Sequence, residues 1–178
     1  MSRTISPIAL SLLALPGLLA FSVSSDANVQ VHAYQNSAST ANGTIRGTGL
    51  RVNWLAYPGL SLGGDWYLRP GAELSYGRFQ GGFEDRRYWE GTALSRAEFR
   101  GDSVGFYLQG GLGTLQMSGE YRDGTGSTAG VFEDNDRISH AEIGISLREG
   151  VRMDLGFRYQ RYHDSDITFR GLVVGLGL

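Results

Sequence analysis

The sequence predicts an all-β fold, an eight-stranded antiparallel up-and-down transmembrane β-barrel that follows a cleaved signal peptide. Three observations carry that expectation. Apolar and polar residues alternate through most of the chain after Ala27, the period of a strand with two unlike faces. The polar face mixes charges with glycines, which suits a narrow closed interior better than a water-facing sheet. The N-terminus is laid out like an export signal.

The 178 residues suffice for one domain. The chain has 27 glycines and 4 prolines, against a usual glycine share of roughly 7%. No cysteine occurs, which excludes a disulfide framework and a thiolate metal site. A formal charge of -2 supplies no basic field for nucleic acid. Every cationic side chain is Arg, with no Lys at all.

Arg3 and the free amine precede an apolar stretch from Ile8 to Phe21, and Ser25 and Ala27 occupy the -3 and -1 positions of a cleavage after Ala27. Residues 1–27 are thus expected to be the signal peptide and residues 28–178 the barrel. No later apolar run is long enough for a membrane-spanning helix.

The candidate strands follow in order. Asn28 to Ser37 sets Val29, Val31 and Ala33 against Gln30, His32 and Tyr34. Gly49 to Ala56 sets Leu50, Val52 and Trp54 against Arg51, Asn53 and Leu55. Tyr67 to Gly77 sets Leu68, Ala72, Leu74 and Tyr76 against Arg69, Gly71, Glu73 and Ser75. Gln80 to Asp102 is charged and poorly periodic and reads mostly as a loop. Ser103 to Gly111 and Thr114 to Tyr121 read as two strands about a turn at 110–113, with Glu120 on the polar face of the second. Arg122 to Asp136 reads as a long polar loop. Arg137 to Leu147 places Ile138, His140, Glu142 and Ser146 on the polar face. Val151 to Gln160 does the same with Arg152, Asp154 and Arg158, and Ile167 to Leu178 closes the chain.

A soluble sandwich also alternates, so the choice of solvent rests on further features. Short connections near 57–65, 110–113 and 148–150 alternate with long ones near 80–100 and 122–136, the asymmetry of a barrel with short inner turns and long outer loops. Apolar faces end in Trp54, Tyr76, Tyr121 and Tyr159, rings that suit a membrane–water boundary. Closure is also what lets a sheet span lipid, because it leaves no unpaired edge in hydrocarbon.

Asp102 to Gly113 (DSVGFYLQGGLG) and Leu155 to Leu178 (LGFRYQRYHDSDITFRGLVVGLGL) resemble the fourth strand and the last hairpin of the small eight-stranded outer-membrane barrels of Gram-negative bacteria, the OmpA/OmpX-like or porin-like barrels. The resemblance implies the fold and a place in the outer membrane. Its implied partners are outer-membrane lipid, lipopolysaccharide and the barrel-assembly machinery that receives a terminal strand. It implies no cofactor and leaves molecular activity open.

An eight-stranded barrel is just wide enough for side chains to fill. Arg51, Arg69, Glu73, Glu120, His140, Glu142, Arg152, Asp154 and Arg158 are therefore expected to pair inside as a charge network, with a narrow solute channel as the alternative. His140 and Glu142 have no third ligand at fitting spacing, so no metal site is expected. His163-x-Ser165 resembles part of the motif of the lipid A 3-O-deacylases. In that family a Glu follows the Ser, whereas here none follows Glu149, and Asp166 adjoins the Ser in a tight turn. The expectation is a polar hairpin tip and no enzyme. Arg86, Arg87, Tyr88 and Trp89 are expected on an extracellular loop, offering guanidinium groups to lipopolysaccharide phosphates or aromatic rings to an extracellular ligand.

Overall fold

The computed structural model describes residues 27–40, 43–81, 84–122, 128–148 and 152–177. The expected signal peptide therefore lies outside the described residues except for Ala27. The strands are β1 (Ala27–Thr40), β2 (Gly43–Ala56), β3 (Leu60–Gly63), β4 (Trp66–Gly81), β5 (Glu84–Arg100), β6 (Val104–Arg122), β7 (Thr128–Leu147), β8 (Arg152–Tyr162) and β9 (Ile167–Gly177). Eight of them form the wall in the order β2-β1-β9-β8-β7-β6-β5-β4, and β4 pairs back onto β2 from Arg46↔Gln80 to Leu55↔Gly71. Every pairing is antiparallel, so the wall is a closed up-and-down barrel. The short β3 lies beside the start of β4, within the connection that follows β2. We call the end that holds this connection the lower end.

Two expectations about the middle of the chain are corrected. The segment read as a loop from Gln80 to Asp102 is largely β5, a strand of 17 residues. The two strands read from 103–111 and 114–121 are one, β6, with 19 residues and no turn at Gly110 to Gly113. The two misreadings offset each other, so the strand total stands. Gly110, Gly111 and Gly113 look like turn residues in sequence. Here they lie in register against Ser95, Leu94 and Thr92 of β5. A Cβ on Gly113 would collide with the backbone oxygen of Gly91, so the close approach of the two strands requires glycine there.

The long loop expected over 122–136 is likewise mostly strand, since β7 begins at Thr128. Strands of 9–11 tilted residues cross a bilayer. β8 and β9 have 11 residues each, while β6 and β7 have 19 and 20. The length asymmetry read as long loops is thus a sheet rising above the rest of the wall. β8 joins β7 only from Ile138 onward, so Thr128 to Asp136 pairs strand to strand on the β6 side alone among the described residues.

The solvent order is inverted relative to a water-soluble barrel. Leu112 is 70% exposed, Ile143 64% and Leu108 58%, whereas Arg51, Arg69 and Arg96 are 1% exposed or less. Apolar surface of this extent around a closed wall is stable against hydrocarbon and unstable against water. On the outer face Tyr76 sits in register with Trp89, ring centroids 4.6 Å apart, towards the upper end, and Trp66 pairs with Phe99 at 5.6 Å at the lower end. These pairs bracket the apolar belt as an aromatic girdle does. No described helix is long and apolar enough to cross a membrane.

Candidate functional site

The lumen is filled from bottom to top in three storeys. In the lowest, Glu98 of β5 is met by five guanidinium groups. The nitrogen to oxygen distances are 3.3 Å from Arg69, 3.3 Å from Arg96, 2.6 Å from Arg100, 3.9 Å from Arg148 and 3.0 Å from Arg152. Asp154 of β8 accepts from Arg96 at 2.8 Å, Arg152 at 3.2 Å and the Ser146 hydroxyl at 2.7 Å, and the His32 ring lies 3.6 Å from it. The Arg96 guanidinium also lies over the Tyr107 ring, 3.6 Å from its centroid.

The middle storey holds two braces. Arg51 of β2 donates to both oxygens of Glu142 on β7 at 2.5 and 2.7 Å, and Arg158 of β8 donates to both oxygens of Glu73 on β4 at 2.9 and 2.6 Å. Such fork-on-fork pairs fix geometry as well as charge. The Tyr107 hydroxyl donates to Glu142 at 2.8 Å, and Arg158 donates to Nδ1 of His140 at 3.0 Å. Glu90 accepts from Gln160 at 2.6 Å and from the Tyr162 hydroxyl at 2.8 Å.

The uppermost storey is apolar. Tyr34, Ala38, Phe79, Tyr88, Leu115, Met117, Ile138, Tyr162, Phe169 and Val173 form one buried cluster. Phe79 stacks on Tyr88 at 4.2 Å and on Phe169 at 4.7 Å, and the Tyr34 and Tyr88 hydroxyls are hydrogen-bonded to each other. A hydrophobic lid thus lies between the ionic storeys and the upper opening.

The structure brings Arg51, Arg69, Glu73, His140, Glu142, Asp154 and Arg158 together as buried lumen groups, with Arg152 half-buried beside them. Glu120 is a correction: it is exposed on the outer face of β6, because Leu115 and Met117 are the side chains that turn inward there. The loop assignment of Arg86, Arg87, Tyr88 and Trp89 is also corrected. All four lie on β5, where Tyr88 is 1% exposed inside the apolar lid and Trp89 faces outward. Arg87 is exposed and Arg86 half-buried, so alternation of the strand divides a group that a loop would have kept together.

Sequence reading missed Glu90, Arg96, Glu98 and Arg100, all on the misread strand. Their signal was present in part: Glu90, Thr92, Leu94, Arg96 and Glu98 recur at every second position and are buried. Their outward neighbours are Gly91, Ala93, Ser95 and Ala97, so small that the alternation of hydropathy was faint.

At the upper hairpin, His163 and Ser165 do not serve each other. His163 Nε2 is hydrogen-bonded to the Ser139 hydroxyl at 2.9 Å, and Ser165 donates to Asp136 at 2.5 Å. Asp136 also accepts the backbone N–H groups of Asp164 and Ser165 at 2.8 and 3.0 Å, so it pins the turn. Arg137 pairs with Asp164 at 2.6 Å, and its hydrogen bonds hold the Asp164 carboxyl below its ordinary pKa. No group of three or more metal-ligating side chains occurs among the described residues.

Searches with family models and against curated proteins return no match. Solved structures do match. Neisserial surface protein A (NspA) aligns over 85% of this chain and 96% of its own, at 21% identity and a TM-score of 0.61. The outer membrane enzyme PagL aligns over 83% and 98%, at 14% identity and a TM-score of 0.59. Ail, the attachment invasion locus protein of Yersinia pestis, aligns over 85% and 97%, at 14% identity and a TM-score of 0.54. Identities this low speak to fold and not to activity. With its closed eight-stranded wall, inverted solvent order and aromatic girdle, the chain has the fold of the small outer-membrane β-barrels.

Proposed function

We propose that the protein is a non-enzymatic outer-membrane barrel whose lumen is packed shut and whose work is done at its upper surface, in envelope integrity or surface interaction. The observation that carries the reading is the filling of the lumen by two ionic storeys and an apolar lid. A conducting pore needs a continuous wet path, and the lid of Phe79, Tyr88 and Phe169 lies across it.

Two surface features support a role outside. Arg46, Arg78, Arg87, Arg137, Arg161 and Arg170 are all exposed around the upper part of the wall. In register, Arg78 faces Arg87 and Arg170 faces Tyr159, so guanidinium groups sit at or just above the upper aromatic ring. That placement suits the phosphates of lipopolysaccharide. The raised edge of β7 from Thr128 to Asp136 offers backbone groups to an extended partner segment. Purified full-length protein in planar lipid bilayers is expected to give no resolved conductance steps. Clear steps would replace this reading with a narrow channel.

A hydrolytic reading draws on one observation, the hydrogen bond between Ser139 and His163 near the upper rim. A working nucleophile also needs a group that orients the base. Among the described residues no carboxylate is hydrogen-bonded to the second ring nitrogen of His163. Lipid A mass spectra that are unchanged by deletion or overproduction of the protein dispose of this reading.

A further inference from the structure

Among the described residues, the lowest storey of the lumen carries more positive than negative charge. Arg69, Arg96, Arg100, Arg148 and Arg152 surround two carboxylates among the described residues, Glu98 and Asp154. The middle storey has no such excess, because Arg51 and Arg158 face Glu73, Glu90 and Glu142. Closely packed guanidinium groups in a partly dry site call for compensating negative charge.

A cavity of about 200 Å³ opens at this point, lined by Tyr57, Arg100, Arg148 and Arg152. The arginines there differ in how well they are satisfied. Arg100 donates to Glu98 at 2.6 Å and to the Pro58 carbonyl at 2.7 Å, and lies over the Tyr67 ring at 4.0 Å. Arg152 spans Glu98 and Asp154. Arg148 reaches Glu98 only at 3.9 Å, and its Nε is buried without a hydrogen-bond partner. Of the acids in the neighbouring turns, Asp65 and Asp102 are exposed and form no ion pair with the cluster among the described residues, and Glu149 lies outside the described residues.

We propose that this lower mouth is an anion site for a phosphate group, closed by Arg100, Arg148 and Arg152 with the Tyr57 ring as its apolar wall. A tetrahedral phosphate offers acceptors to several planar forks at once, which a single carboxylate does not. The phosphate belongs either to a lipid headgroup at the lower membrane surface or to a free phosphorylated solute. The inference concerns the end of the barrel opposite the proposed working surface and stands or falls separately from it.

The test uses the full-length barrel in an uncharged sugar detergent, with the arginine Nε–H signals followed by NMR. Inorganic phosphate and short-chain phosphatidylglycerol are the two probes. Saturable shifts of Arg148 and Arg152 with both probes identify a site for free phosphate, and shifts with the lipid alone identify a headgroup site. Arg148→Gln should weaken binding by about tenfold, the loss of one charge-assisted contact, and Arg100→Gln should act in the same direction. Heat-modifiable gel mobility shows whether each variant is folded. Absence of saturable shifts with either probe on the parent protein overturns the proposal, as does unchanged affinity in both folded variants.

Discussion

Arg51 and Glu142 meet in a two-bond ion pair although their strands, β2 and β7, stand half the circumference apart in the barrel wall. Arg158 and Glu73 join β8 to β4 over the same separation. The two braces approach closely, since Arg51 Nη1 also lies 3.5 Å from Glu73. The lumen is therefore tied across its width by ions, in addition to being laced around its wall by the sheet.

Removing one member of such a pair leaves the other buried without compensation. Glu142→Ala should destabilise the folded barrel by about 3–5 kcal/mol. The paired replacement Arg51→Met with Glu142→Leu should recover much of that loss, because neither charge remains. Urea unfolding in lipid vesicles measures both. A single variant as stable as the parent would show that the brace contributes nothing.

Gly175 of β9 lies in register with His32 of β1, and the His32 ring covers it so closely that a Cβ at Gly175 would collide with the imidazole. Gly175→Val forces that ring into packed surroundings and should cost about 1–3 kcal/mol. Combining it with His32→Ala should give a coupling of opposite sign, read from a double-mutant cycle. Strict additivity would mean that the ring does not rest on the glycine.

The phase of β6 is testable by position. Leu108→Arg places a charge on the lipid side and should destabilise by about 2–4 kcal/mol if it sits near the bilayer midplane. Cysteine at Glu120 should react with a membrane-impermeant reagent, while cysteine at Met117 should be protected within the apolar lid. The reverse labelling pattern would restore the phase that the sequence suggested.

Most of the wall was legible because large apolar residues mark the lipid side. Leu50, Leu74, Ile143 and Phe157 each alternate with a buried polar or charged neighbour, and all four are exposed on the outer face. Legibility failed where that contrast is weak. On β5 the outward side is built from Gly91, Ala93, Ser95 and Ala97, so a strand read as a loop and Arg96 and Glu98 went unseen. On upper β6 the contrast reverses: above the apolar belt the outside is polar, with Thr114, Gln116 and Ser118, and the inside is apolar, with Leu115 and Met117. Period two is kept there, but its meaning changes with height, which one sequence does not display. The apolar lid was invisible for the same reason, since its members come from strands read separately and meet only on closure.

Separation of cell membranes with a carbonate wash, followed by gel mobility with and without heating, tests the central claim most directly. The protein should remain in the washed membrane fraction and migrate as a compact form until heated, as a closed barrel embedded in lipid does. Recovery in the soluble fraction, with one mobility regardless of heating, would contradict a barrel whose outer solvent is the bilayer.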